Sequence, residues 1–384
     1  MGEKRPVAKS APPAGGKEKT ENIKPSKVGK FSPQKAWALE HYKGIENLFM
    51  PSFSPDFKTL DEEGIRHDVR NSIRHGFFSM LLTGVGIRSD EENQHFIRIA
   101  CEEASGKILV GVMVSQRNLE EDLAMIRFAE KTGGTHLFMF PAFSLRNAKT
   151  EEDAYQIYLE RIQATKLPVV LYGNFNTYRR SGSSVRIFDR LADLPNVVAV
   201  KLTQPMNMAA AFHVCERLSD RLLIGPVNLD FVPVLAKHYR VQWSGQWNVE
   251  AVQSPEKPYA VELMKALSAG RFDDAMAVYS QLEPALIAFY ELQAPLIVNG
   301  GHPWSHMKYF QWCGGGNGGL IRDLHEPVEK VPVLDEAARK LIKDTYRKVG
   351  IRPVDAPDEE FVVGKAAYAK GVRTNDMSKT PAYC

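Results

Sequence analysis

Between residues 45 and 243 the chain repeats one pattern: a short, almost unbroken apolar run, a turn, then a stretch whose apolar positions recur with helical spacing. The runs are Ile45–Met50, Phe77–Leu82, Ile108–Val112, His136–Phe140, Pro168–Tyr172, Val197–Val200, Leu222–Ile224 and Val241–Trp243. Continuous rather than alternating hydrophobicity marks strands covered on both faces, as in a parallel sheet. Successive runs start roughly 20–35 residues apart, the length of a strand–helix unit with its loops. In Leu119–Lys131, between the third and fourth runs, Leu119, Leu123, Ile126 and Ala129 share one face, opposite Glu120, Glu121, Arg127 and Glu130.

Eight such units predict an α/β chain folded as a (β/α)8 TIM barrel over residues 36–253. A doubly wound sheet is the competing arrangement. Its G-x-G-x-x-G fingerprint does not follow the first run, and the Gly84-Val85-Gly86 turn after the second lacks the remainder. From 254 to 350 the pattern turns helical, clearest in Tyr259–Ala269, Phe272–Tyr290, His302–Cys313 and Asp335–Val349, and predicts a C-terminal helical extension. Residues 351–384 read as an extended, poorly packed tail.

Composition adds exclusions. The 384 residues are 44% apolar and 25% charged, as in a globular protein, and no run approaches the ~18 apolar residues of a membrane-spanning helix. Cys101, Cys215, Cys313 and Cys384 are scattered without a CxxC, which fits reduced thiols in a cytoplasmic protein better than a disulfide framework. Residues 1–35 hold nine Lys/Arg against three acids, so this segment carries +6 and the rest of the chain −3 of the total +3. Rich in Pro, Gly, Ser and Lys, the segment reads as a disordered basic tail without the apolar core of a secretory signal. A solubilising extension is the better reading than an arm for nucleic acid or an anionic membrane, so neither partner is expected.

In this architecture reactive groups sit at the carboxyl ends of strands. The sixth run closes on Val200-Lys201-Leu202, a lone lysine ending an apolar strand, and the fifth on Leu171-Tyr172-Gly173. A lysine turned inward loses hydration, its ammonium form is disfavoured, and the neutral amine can attack a ketone to form an imine that serves as an electron sink. A neighbouring phenol can move the protons. The bland alternative is that Lys201 snorkels to solvent and Tyr172 fills core.

The ordered wording of the segments resembles the dihydrodipicolinate synthase / N-acetylneuraminate lyase family of class I aldolases, from about Gly44 to Gly350. Carrying the resemblance are Leu48-Phe49-Met50-Pro51-Ser52-Phe53, Leu167-Pro168-Val169-Val170-Leu171-Tyr172 with Asn174, Ser181-Gly182, Leu194-Pro195-Asn196-Val197-Val198-Ala199-Val200-Lys201, and Ser244 with Asn248. The resemblance implies that Lys201 carries the Schiff base and Tyr172 relays protons. It implies Arg180 near the entrance, and Asn174 and Ser244 close to substrate; Gln246, by its position after the eighth run, is expected near the barrel mouth, where it can touch substrate. It also implies a 2-oxo acid substrate, no cofactor or metal, and a homodimer or homotetramer.

Three departures stand out. Where the family has a G-[TS]-T-G-E turn whose hydroxyls hold the carboxylate, this chain reads Thr83-Gly84-Val85-Gly86-Ile87. The backbone of Gly84 and Val85 is then the expected clamp, with Thr83, Arg88 or Ser89 able to contribute. The family's PYY becomes Pro141-Ala142-Phe143, removing a second phenol, and Gly173 splits the YN pair. Dihydrodipicolinate synthesis itself is therefore not expected; an aldolase, hydratase-aldolase or dehydratase on another 2-oxo acid is, with a non-catalytic acid-binding barrel as the rival.

Other features read as structural. His302 and His306 lack the Glu of HExxH and are expected to contact packed neighbours; Gly314–Gly319 lacks the Lys-Ser/Thr of a P-loop and reads as a flexible connection. Asp61-Glu62-Glu63 reads as a helix start. Asp230 is expected near the barrel mouth, and Trp243 and Trp247 as packing aromatics.

Overall fold

A computed structural model describes residues 31–141, 143, 145, 148–173, 184–203, 208–245, 252–298, 302–322 and 333–377; for 293–298 it describes the backbone only. All eight apolar runs are strands: β1 Gly44–Phe49, β2 Ser79–Leu82, β3 Leu109–Val114, β4 His136–Met139, β5 Val169–Gly173, β6 Val197–Leu202, β7 Leu223–Pro226 and β8 Trp243–Gly245. They pair in parallel in the order β7-β6-β5-β4-β3-β2-β1-β8, the cyclic order of a TIM barrel. At the β7/β8 seam the Ser244 hydroxyl donates to the Pro226 carbonyl at 2.8 Å.

Helices follow as the periodicity requires. They are α1 Pro33–His41, α2 Glu62–Arg74, α3 Asp90–Ala104, α4 Leu119–Thr132, α5 Glu151–Gln163, α6 Val185–Leu191, α7 Met208–Leu218 and α8 Val232–His238. Side-chain caps set several of their starts: Asp61, Ser89, Asn118 and Thr150 each accept from a backbone N–H of the first turn, satisfying a donor the helix cannot. The extension holds α9 Tyr259–Ser268, α10 Phe272–Val298, α11 Trp304–Cys313 and α12 Glu336–Lys348.

Alternate strand residues face two different cores. Outward, Ile45, Val110, Leu137, Leu171, Val200 and Ile224 pack against the helices. Inward, Leu81, Phe138, Val170, Ala199, Leu223 and Trp243 fill the barrel, and α1 closes its floor with Ala38 and Tyr42. Two interior glycines make room for this filling. A Cβ on Gly225 would lie 2.0 Å from the Trp243 indole, and one on Gly111 2.5 Å from His136 Nε2.

Three expectations are corrected. The segment after Arg352 is not an extended tail over its described part: α13 Asp358–Val363 and α14 Lys365–Ala369 dock on the extension, burying Phe361 and Val363. Gly314–Gly319 is not a flexible connection. Asn317 N–H donates to Asp68 Oδ1 at 2.6 Å, Gly319 N–H to Phe361 O at 2.6 Å, and positive φ at Gly315, Gly318 and Gly319 folds the run tightly. The expected basic tail of 1–35 also ends early, because α1 begins at Pro33, with Pro in its first turn and Ser32 as cap. Residues 1–30 and Cys384 lie outside the described residues.

Candidate active site

Parallel register sets Tyr172 on β5 directly beside Lys201 on β6. Both follow inward-facing residues two positions earlier, Val170 and Ala199, so the pleat carries both side chains inside the barrel. Lys201 is 3% exposed, and its Nζ lies 5.0 Å from the centroid of the Tyr172 ring. Burial lowers the amine's pKa from 10.5 to about 7, with the Glu46 carboxylate opposing the shift. Burial pushes the Tyr172 phenol up to about 12, against a smaller opposite pull from the Thr203 side chain. The fold thus brings these two sequence-predicted side chains together, with the lysine buried.

The pair opens into a cavity of about 620 Å³ at the strands' carboxyl ends. Thr83, Gly84 and Val85 line it, as do Arg88, Gln116 and Arg117. The Thr83 hydroxyl donates to the Phe49 carbonyl at 3.0 Å, so its one proton is committed to the backbone. Gly84, Val85 and Arg88 line the cavity beside it.

Ser244 is elsewhere: it is fully buried at the barrel seam, bonded to Pro226, and does not line the cavity. The physical reason is that β8 turns this hydroxyl toward the Pro226 carbonyl, to which its one proton is committed. Asp230 does not line the cavity either; burial raises its carboxyl to about 6. Trp243 fills the barrel interior, as packing predicts. Asn174, Arg180, Ser181, Gly182, Gln246, Trp247 and Asn248 lie outside the described residues.

The sequence reading gave the following residues no place at the site. His302 and Trp304 line the cavity with their rings stacked, centroids 4.9 Å apart and planes 3° apart. Phe140 packs on Tyr172 at 4.3 Å. The carbonyls of Phe140 and Val114 at two strand ends are held by the fully buried Arg161, at 2.9 and 2.7 Å, whose Nε pairs with Asp122 at 3.0 Å.

Below Lys201 lies a polar cluster with no exposure. Glu46 Oε1 accepts from Ser79 Oγ at 2.8 Å and from Tyr42 OH at 3.1 Å, and lies 3.0 Å from His136 Nε2. His136 Nδ1 lies 3.0 Å from Thr135 Oγ1. The clue was visible: Glu46 is an acid inside the first apolar run. Among the described residues no group of three or more His, Cys, Asp or Glu could hold a metal ion, and no helix is long and apolar enough to cross a membrane. Cys101, Cys215 and Cys313 are free thiols.

Known proteins are similar to this chain in sequence and in fold. The chain is 28% identical over 232 residues to the 4-hydroxy-tetrahydrodipicolinate synthase of Chloroherpeton thalassium, covering 58% of this chain and 72% of the relative. With the enzyme of the same name from Methanopyrus kandleri the identity is 24% over 263 residues, 67% of this chain and 84% of the relative. Two solved structures show the fold: dihydrodipicolinate synthase from Aquifex aeolicus (TM-score 0.64, 17% identity, 82% of this chain and 100% of that one) and N-acetylneuraminate lyase from Fusobacterium nucleatum (TM-score 0.62, 18% identity, 80% and 98%). The model of the dihydrodipicolinate synthetase family matches residues 42–299, well over half of the chain, and the protein belongs to that family.

Proposed function

We propose that the protein is a class I lyase that binds a 2-oxo acid as an imine on Lys201, with Tyr172 moving protons at the reacting carbons. The observation that carries this reading is the buried amine, titrating near 7, beside a phenol in the wall of a large strand-end cavity. Near neutral pH about half of such an amine is unprotonated and able to attack the keto carbon. Loss of water gives an iminium, which accepts the electron pair released when a bond to the adjacent carbon chain breaks. The keto acid's carboxylate would lie against the Gly84-Val85 turn, where charge-assisted hydrogen bonds are shorter and stronger than neutral ones. A homodimer or homotetramer belongs to the same reading, and sedimentation velocity would test it.

The rival, a barrel that binds a small acid without turning it over, draws support from Gly84 and Val85, which replace the family's two hydroxyls. Borohydride reduction in the presence of pyruvate, followed by peptide mass analysis, separates the two. The lyase reading expects a pyruvyl adduct on Lys201 that disappears in Lys201→Ala. No adduct with pyruvate or any of a panel of 2-oxo acids would leave only the binding barrel.

A further inference from the structure

The C-terminal extension reaches over the barrel mouth at a defined height. Inside α11, Lys308 Nζ bonds Ser52 Oγ and Asp68 Oδ2, both at 3.2 Å, and Gln311 Nε2 donates to the Leu48 carbonyl at 2.8 Å. These bonds tie the helix to β1, to the loop that follows it and to α2. The residues just before and at its start, His302 and Trp304, are thereby set into the cavity that holds Lys201. The imidazole is close enough to the amine for the Lys201 charge to add to burial in lowering its pKa below the ordinary 6.5. Val85, Ile87 and Phe140 line the same cavity, together with Trp304.

We infer that His302 is the general base for carbon–carbon cleavage, taking the proton from the hydroxyl on C4 of a 4-hydroxy-2-oxo acid held as an imine on Lys201. The inference rests on the imine reading above. As the C4 O–H proton passes to the imidazole, C4 becomes a carbonyl and the C3–C4 bond breaks. Its electron pair flows through C3 to the iminium, leaving an enamine on Lys201 and a free aldehyde. No oxidant or reductant is needed. In the reverse direction the imidazolium returns the proton to the new alkoxide. Tyr172, with its phenol pushed up to about 12, is a poor base for this step near neutrality, and the segment Pro141–Phe143 carries no phenol. The apolar wall around Trp304 suits a hydrophobic group on C4. The ionisable side chains sharing the cavity are Lys201, Tyr172, Arg88, Asp90, Glu91 and Arg117.

The test uses the full chain and 4-hydroxy-2-oxo acids bearing methyl or phenyl on C4, with aldehyde release measured alongside borohydride trapping with pyruvate. His302→Gln is expected to keep trapping on Lys201 within twofold while kcat for cleavage falls about 100-fold. Wild-type kcat should rise with pH through an ionisation below 6.5, a limb absent in the variant; the lysine, already an imine, does not titrate in kcat. His302→Asn provides the same readout should the glutamine protein fold poorly, and Trp304→Phe is expected to preserve the limb. Unchanged kcat and pH profile in His302→Gln overturn the assignment. So does trapping without cleavage of either substrate by the wild type, which leaves the imine reading standing; absence of trapping removes both.

Discussion

Lys201 is held between two opposing influences, and each can be removed separately. Burial drives its pKa down to about 7, while the carboxylate of Glu46, on the first strand, pulls it up. The trapping rate with pyruvate should therefore rise with pH through about 7. In Glu46→Gln the midpoint should move lower, with a stability loss of about 1–3 kcal/mol from disturbing the bonds to Ser79, Tyr42 and His136. A midpoint that stays in place would show that Glu46 has no hold on the amine. The same shift has a consequence for folding. Between about 7 and 10.5 the unfolded chain binds a proton that the native amine does not, so stability rises with pH over that interval and the full cost of burial is present below it. Replacing the amine in Lys201→Met should therefore raise the melting temperature most near pH 6 and little near pH 10.5, which calorimetry across pH would check. Both candidate residues were legible from the chain, because a lysine or a tyrosine closing an apolar strand has few structural explanations. His302 was not legible, since only the tertiary path of the extension brings residue 302 beside residue 201.

Among elements, the strand β2 and its turn carry the sharpest departure from the family pattern. An added Cβ at Gly84 would meet nothing closer than 3.8 Å, the Asn93 Oδ1, so the turn has space for the missing side chains. Val85→Thr, which exchanges a methyl for a hydroxyl at nearly constant volume, should tighten pyruvate binding several-fold, as read by trapping at limiting concentration. No tightening would mean that the carboxylate lies elsewhere. Arg161 supports the opposite wall: Arg161→Leu strands the Asp122 carboxylate and releases the Phe140 and Val114 carbonyls. A cost of about 3–5 kcal/mol is expected in denaturant unfolding. The strands themselves were readable because hydrophobic runs buried on both faces have few other interpretations. The inward or outward sense of each residue, and hence the Arg161 support, depends on register and helix docking, which no local pattern encodes.

At the scale of the whole molecule, barrel and extension act as one unit. Lys308 and Asp68 form a buried ion pair across their junction at 3.2 Å, and Asn317 binds Asp68 from the glycine-rich turn. Lys308→Ala should therefore loosen the mouth as well as lower stability, with hydrogen exchange increasing in both β1 and α11. A change confined to α11 would argue that the two parts are not coupled. The extension's helices were predicted from periodicity, whereas the packing of 352–377 was missed because proline, charge and short apolar pairs look like a tail until Phe361 is seen against Tyr309 and Trp312.

Among the described residues Trp243, Phe138 and α1 fill the barrel on the side away from the cavity, so on the proposed reading that side offers substrate no exit. On the imine reading a keto acid joined to Lys201 would leave after the aldehyde fragment, giving an order of release with the aldehyde first and the keto acid last. Pyruvate should then inhibit cleavage competitively with the starting substrate, and the aldehyde noncompetitively.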